Sequence, residues 1–153
     1  MMTDEFWMRE AIHLAEKAAC CGEIPVGAMV VKDGIVIGKG YNQRENTKNA
    51  VEHAEILAIA EACQTIGDWR LTGCTLYVTL EPCPMCAGAV INSRIQRVVC
   101  GASDSLAGCC GSVLNLNAYP FNHAFLLTSG VCENECRELL QSFFAKKRKE
   151  GKT

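Results

Sequence analysis

Two short stretches carry the residue types that could do chemistry: His53-Ala54-Glu55, and Pro82-Cys83-Pro84-Met85-Cys86. One histidine and two cysteines make three protein ligands. A zinc held by three leaves its fourth position open to water, whereas structural zinc sites are usually closed by four. Glu55 stands two residues from the histidine, where its carboxylate can move the protons of that water. If Glu55 were itself a ligand, the site would close and be structural. The pattern with Glu55 free is that of a zinc hydrolase.

The two halves support this separately. Cys83 and Cys86 are three apart at a predicted helix start, and positions i and i+3 share a helix face. The positive helix end and a metal both favour the thiolate, the form that binds. Two buried thiols are the plain alternative in a chain with eleven cysteines. In a regular helix His53 and Glu55 would point about 200° apart. They can serve one metal only if it lies just beyond the helix N-terminus, and a surface histidine at a helix start is the alternative. The two halves together are specific, because each falls at a predicted helix start and the cysteine pair follows directly on a strand. Zinc would lower the pKa of water from about 15.7 towards about 7, and Glu55 would take up and deliver the proton.

The elements that must position these residues follow from periodicity and turn chemistry. Apolar residues at helical spacing predict a helix over Phe6–Ala19. Val26–Val31 and Ile35–Tyr41 flank Asp33-Gly34, a pair suited to a type I′ turn, so they form an antiparallel hairpin. Residues 42–50 are polar and read as a loop. A helix follows over His53–Gln64, a strand over Thr75–Leu80, and a helix from Pro82 to Ser93 with proline at its start. Ile95–Cys100 is a buried strand, and the strand–helix–strand order implies a parallel crossover. Phe125–Thr128 is a short last strand, and a helix begins near Glu133. Five strands and four helices make a mixed sheet covered by helices, an α/β sandwich.

Composition bounds the rest. The 153 residues suit one domain, 1–153, with 49% hydrophobic and 21% charged residues and a net charge of −2. Bulk charge therefore does not mark a nucleic-acid binder, although Lys146-Lys147-Arg148-Lys149 and Lys152 form a basic tail. No apolar run approaches a membrane span, so no membrane partner is expected. The cysteines are odd in number, and the start Met1-Met2-Thr3-Asp4-Glu5 is acidic, without the apolar region of a signal peptide. A reducing cytoplasm is the expected location, with most thiols acting as small buried hydrophobes.

The arrangement His-x-Glu…Pro-Cys-x-x-Cys is the known signature of the zinc deaminases, and this chain resembles the cytidine deaminase-like superfamily. Within it the chain is similar to the bacterial tRNA-specific adenosine deaminases nearly end to end. The shared stretches include Phe6-Trp7-Met8-Arg9, Ile24-Pro25-Val26-Gly27-Ala28, Asn42 eleven residues before His53, and Trp69-Arg70-Leu71. They continue through Thr75 to Cys83, Gly101-Ala102-x-Asp104, Phe121-Asn122-His123 and Phe143-Phe144. The resemblance implies a three-layer α/β/α sandwich with a mixed five-stranded sheet. It implies one Zn²⁺ per subunit on His53, Cys83 and Cys86, with Glu55 as the catalytic acid and base. It implies hydrolysis of adenosine to inosine at the wobble position of an arginine tRNA with an ACG anticodon, by a homodimer whose sites the partner completes. Asn42 would hydrogen-bond the flipped adenine, and Asp104 would hold a neighbouring nucleotide. Backbone at Ala54 would line the site, and Phe144 with the basic tail would meet the anticodon stem-loop. The loop around Asp104 departs from the family's basic character: Ser103 and Leu106 flank it, before Gly108-Cys109-Cys110-Gly111.

Two other functions share these residues. A deaminase of free guanine, cytosine or their nucleosides would use the same zinc chemistry. A zinc-stabilised RNA-binding module would need no Glu55. Cys109, Cys110, Cys132 and Cys136 have no role fixed by the sequence. His123, beside Asn122, is expected nearer the site rim than His13.

Overall fold

The computed structural model describes residues 2–151, so Lys152 of the basic tail lies outside the described residues. Helix α1 (Asp4–Cys20) starts where the Thr3 hydroxyl accepts the Phe6 N–H at 3.1 Å, with Asp4 and Glu5 in its first turn at the positive helix end. Strands β1 (Gly27–Lys32) and β2 (Ile35–Tyr41) form the expected hairpin. Asp33 and Gly34 take φ of 51° and 74°, the two positive values that a type I′ turn requires. Val30 pairs with Gly38 and Val31 with Val36, so Ile37 is the extra residue of a bulge.

A single helical turn, α2 (Arg44–Thr47), interrupts the segment expected to be all loop. Then come α3 (Ala54–Ile66), β3 (Thr75–Leu80), α4 (Pro84–Ser93) and β4 (Arg97–Ala102). A 3₁₀ turn at Leu116–Ala118, β5 (Leu126–Thr128) and α5 (Glu133–Lys149) complete the chain. The strands lie in the order β2-β1-β3-β4-β5, with β1 antiparallel to both neighbours and β3, β4 and β5 parallel. The sheet is mixed and five-stranded, as expected.

Side-chain alternation divides the core between the two faces of the sheet. Ala28, Val30, Leu76, Val78 and Val98 pack with Ala54, Ala58 and Val90 of α3 and α4. Met29, Val31, Tyr77 and Val99 pack with Met8, Ala11 and Leu14 of α1 and with Cys136 of α5. The result is three layers. Gly38 and Gly40 let α3 lie directly on β2: a Cβ at Gly40 would fall 2.7 Å from the Ala54 carbonyl oxygen and 2.7 Å from Leu57 Cβ. At the other end of the sheet Arg97 makes a two-pronged bond to Asp4, at 2.9 and 2.6 Å, and Tyr77 donates to the same carboxylate at 3.0 Å. Among the described residues no helix is long and apolar enough to cross a membrane.

Two boundaries move for identifiable reasons. The proline that opens α4 is Pro84 rather than Pro82, and Cys83 is the residue before the helix. Proline fits the first helical position and drives the preceding residue to an extended backbone; Cys83 has φ −76° and ψ 176°. The short helix α2 forms because a distant carboxylate, Glu23, accepts its backbone N–H groups.

Candidate active site

The chemistry-bearing side chains meet at the N-termini of two adjacent helices. His53 is the residue before α3, with φ −76° and ψ 156°, and so stands in the same extended relation to its helix as Cys83 does to α4. Because His53 is outside the regular helix, the opposition of positions i and i+2 does not separate it from Glu55. Cys86 lies in the first turn of α4 and is fully buried. The three ligand atoms lie within 4.8 Å of one another, the one such group of His, Cys, Asp or Glu among the described residues.

This triangle has the dimensions of a metal site. With sulfur at about 2.3 Å and nitrogen at about 2.05 Å from a tetrahedral ion, sulfur and nitrogen stand about 3.6 Å apart. The Nδ1 atom of His53 is 3.6 Å from Cys83 Sγ and 3.6 Å from Cys86 Sγ. The three donors are also coupled electrostatically. A hydrogen bond from Cys86, and another from His53, bring the Cys83 thiol down to about 4. The bond to Cys83, together with burial, pushes Cys86 up. The bond to Cys83 holds the His53 imidazole above its ordinary value. The donor set could hold a metal ion.

Glu55 lies in the first turn of α3 and is buried at 4% exposure. Burial, reinforced by the negative charge of Cys83, raises its carboxyl to about 7. A carboxyl near neutrality is suited to both accepting and donating a proton. In front of it opens a cavity of about 630 Å³, a size that takes a nucleobase and its sugar. Asn42, His53, Ala54, Glu55, Cys83, Asp104 and Phe144 all line it. The cavity sits beyond the carboxyl ends of β3 and β4, where α/β sheets place their ligand sites.

A family profile of the MafB19-like deaminases matches residues 2–148. The tRNA-specific adenosine deaminase of Bacillus subtilis (strain 168) is 50% identical over 153 residues, covering 99% of this chain and 95% of that protein. The chain belongs to the tRNA-specific adenosine deaminase family. The Haemophilus influenzae tRNA-specific adenosine deaminase is 48% identical over 151 residues, covering 97% of this chain and 87% of that one. A solved structure, reported for A-to-I editing by tRNA:A34 deaminases at the wobble position of transfer RNA, has a TM-score of 0.86 at 40% identity. It covers 88% of this chain and 99% of its own. The guanine deaminase from Nitrosomonas europaea has a TM-score of 0.80 at 24% identity, covering 95% of this chain and 86% of that one, and shares the fold.

In this member of the family, three segments frame the cavity opposite His53, Cys83 and Cys86. Asn42 follows β2 and is 7% exposed; its side-chain amide donates to the Ile24 carbonyl at 3.3 Å. Asp104 follows β4, and its Oδ1 accepts the N–H groups of Leu106 at 3.0 Å and Ala107 at 3.2 Å. Phe144 of α5 is 42% exposed and meets Phe143 edge to face. Leu106 stands at the rim, 90% exposed.

His123 does not reach this rim. Its Nε2 lies 2.7 Å from the Ile95 carbonyl, before β4 begins and so at the opposite end of that strand. Cys109 and Cys136 are buried thiols, and Cys132 is the residue before α5. Two buried carboxylates that sequence reasoning gave no role are bonded to the framing loops. Glu23 is 1% exposed and Glu81 is 5% exposed. Glu81 lies in the strand-to-cysteine stretch that marks the family, but no spacing rule announces what it holds.

Proposed function

We propose that the protein hydrolytically deaminates adenosine to inosine at the wobble position of a tRNA anticodon, with the ACG anticodon of an arginine tRNA as substrate. The observation that carries this reading is the donor triangle with buried Glu55 beside it, opening on a nucleobase-sized cavity in a chain half identical to a tRNA-specific adenosine deaminase. His53, Cys83 and Cys86 would hold one Zn²⁺ per subunit, which when bound supplies Lewis-acid activation of the attacking water. Glu55 takes a proton from that water and delivers it to the ring nitrogen of adenine. It then carries the second proton to the departing amine, so that the water oxygen stays on the ring as the carbonyl and the amino group leaves as ammonia.

The target base must leave its stack to enter the cavity. Unstacking costs about a few kcal/mol and is least for a base already unpaired, as in an anticodon loop. Asn42 hydrogen-bonds the flipped adenine, Ala54 contributes backbone to the pocket wall, and Asp104 holds a neighbouring nucleotide. Phe144 and Lys146–Lys149 meet the anticodon stem-loop. The one domain acts as a cytoplasmic homodimer, for which the exposed side chains of Val113, Leu114, Tyr119 and Phe121 supply apolar surface.

The test is inosine formation at the wobble base of a transcribed arginine tRNA with an ACG anticodon, read by nucleoside mass spectrometry. Wild type forms inosine. Glu55→Ala retains zinc and tRNA binding and loses about 10²–10⁴-fold in rate. Inosine formed equally by both would remove Glu55 from the chemistry. No inosine from zinc-loaded wild type, with turnover of free guanine or cytidine, would reject the tRNA assignment.

A further inference from the structure

Each of the two loops that face His53, Cys83 and Cys86 across the cavity is tied by one buried carboxylate. Glu23 accepts the N–H of Glu45 at 3.1 Å and of Asn46 at 2.7 Å, and also the Asn46 side-chain amide. These bonds fix α2, the turn that begins two residues after Asn42 and carries Arg44 to the cavity rim. Glu81 accepts the N–H of Asp104 at 3.0 Å, of Cys110 at 2.9 Å and of Ser112 at 3.0 Å, and the Ser112 hydroxyl as well. Those bonds gather residues 104–112 around one side chain. Gly108 is pressed so closely against it that a Cβ there would meet the Glu81 carboxyl.

Every partner of the two carboxylates is an N–H or O–H group of a loop, so each carboxylate acts as an acceptor only. Both oxygens of each carboxylate are occupied by loop donors. We propose that Glu23 and Glu81 are a pair of positioning residues that set the shape of the nucleobase pocket, Glu23 by placing Asn42 and Arg44 and Glu81 by placing Asp104. The proposal rests on the reading of Asn42 and Asp104 as substrate-facing.

The two loops differ in reach. The Glu23 loop borders the base itself, so its release should relax which base is accepted. The Glu81 loop borders the flanking nucleotide, so its release should weaken binding while leaving base choice intact. This division makes the pair specificity determinants of different kinds, and it gives each a signature that general loss of fold does not produce.

The test uses Glu23→Gln and Glu81→Gln in the zinc-loaded enzyme. Glutamine keeps the shape but replaces one accepting oxygen with a donor that faces another donor. Hydrogen bonds to a charged acceptor are among the stronger ones, so the expected effect is about a tenfold or larger rise in KM for the anticodon stem-loop. Zinc per chain stays at the wild-type value. Amide hydrogen exchange rises over residues 42–47 in the first variant alone and over 104–112 in the second alone. A cytidine placed at the wobble position gains relative to adenosine in Glu23→Gln but not in Glu81→Gln.

A role confined to folding would lower kcat through loss of active enzyme with KM unchanged, and would overturn the proposal. So would unchanged exchange in both loops, or zinc loss in step with activity loss. If either glutamine variant does not fold, Asn46→Ala and Ser112→Ala remove one donor from each carboxylate and are expected to raise KM in the same direction by less. Unchanged KM in both of these overturns the proposal too. A wild type without activity on the stem-loop would instead be a failure of the tRNA reading, which the zinc-loaded control separates.

Discussion

The two sides of the cavity are built in different ways. On the donor side, His53, Glu55, Cys83 and Cys86 stand at the first turns of α3 and α4, helices whose inner faces are packed against the sheet. On the opposite side, which we propose recognises the RNA, Asn42 and Asp104 stand on loops held by hydrogen bonds to single carboxylates, and Phe144 stands on a helix that buries only Cys136. Metal ligation tolerates errors of tenths of an ångström, and dense packing supplies that precision. Recognition of a flexible RNA loop tolerates more, and a few directed hydrogen bonds to each protein loop suffice for it. A change on one side should therefore alter metal and turnover, and a change on the other should alter substrate binding.

The sharpest way to break this contrast is to remove a donor. Cys86→Ala, or treatment of the wild type with a strong chelator, should abolish inosine formation and reduce zinc per chain towards zero. Anticodon stem-loop binding should fall by much less, since the segments that frame the recognition side do not hang on the metal. Zinc content by atomic absorption and RNA affinity by filter binding check the two halves separately. Loss of RNA affinity in step with zinc would mean that the two sides share one mechanical support.

A smaller effect comes from the packing that sets the donor side. Gly40→Ala puts a methyl group 2.7 Å from the Ala54 carbonyl oxygen, at the first turn of α3. Backbone must shift, and overpacking of this kind costs about 1–3 kcal/mol. The expected outcome is a lowered unfolding midpoint and a reduced kcat, with KM for the stem-loop little changed. A rise in KM with unaltered kcat would place Gly40 in recognition and blur the distinction.

The sequence makes the donor side legible because its rules are local. Asp33-Gly34 names its own turn, histidine and cysteines name their ligand chemistry, and the helix starts read near His53 and Pro82 fall within two residues of the observed ones at Ala54 and Pro84. The Pro82 boundary shows a limit of local rules. Two prolines flank Cys83, and the one that opens the helix is decided by the extended backbone that Pro84 imposes on Cys83. The recognition side is less legible. Helix α2 has four residues and no apolar period; it exists because Glu23, 22 positions before Glu45, accepts its backbone N–H groups. Glu81 likewise reaches forward 23 to 31 residues. His123 is drawn away from the rim by a backbone carbonyl that sequence position cannot foretell. Placement by long-range side-chain bonds to backbone leaves no periodic trace in the chain.

The smallest expected effect tests the outermost part of the recognition side. The last turn of α5 carries Lys146, Lys147, Arg148 and Lys149, and the Lys147 ammonium already sits 5.4 Å from the Phe143 ring. The exposed members are free to meet phosphate. Replacing Lys146, Arg148 and Lys149 together by alanine should raise KM several-fold at moderate salt and leave kcat and zinc content unchanged. For every phosphate that a removed cation had neutralised, the dependence of log affinity on log salt should flatten by about 0.7 on a single-stranded loop. The titration discriminates better than the affinity itself. An unchanged salt slope would make the tail a solvated helix end whose charges serve only the helix dipole, and Phe144 with the two carboxylate-held loops would then carry RNA recognition on their own.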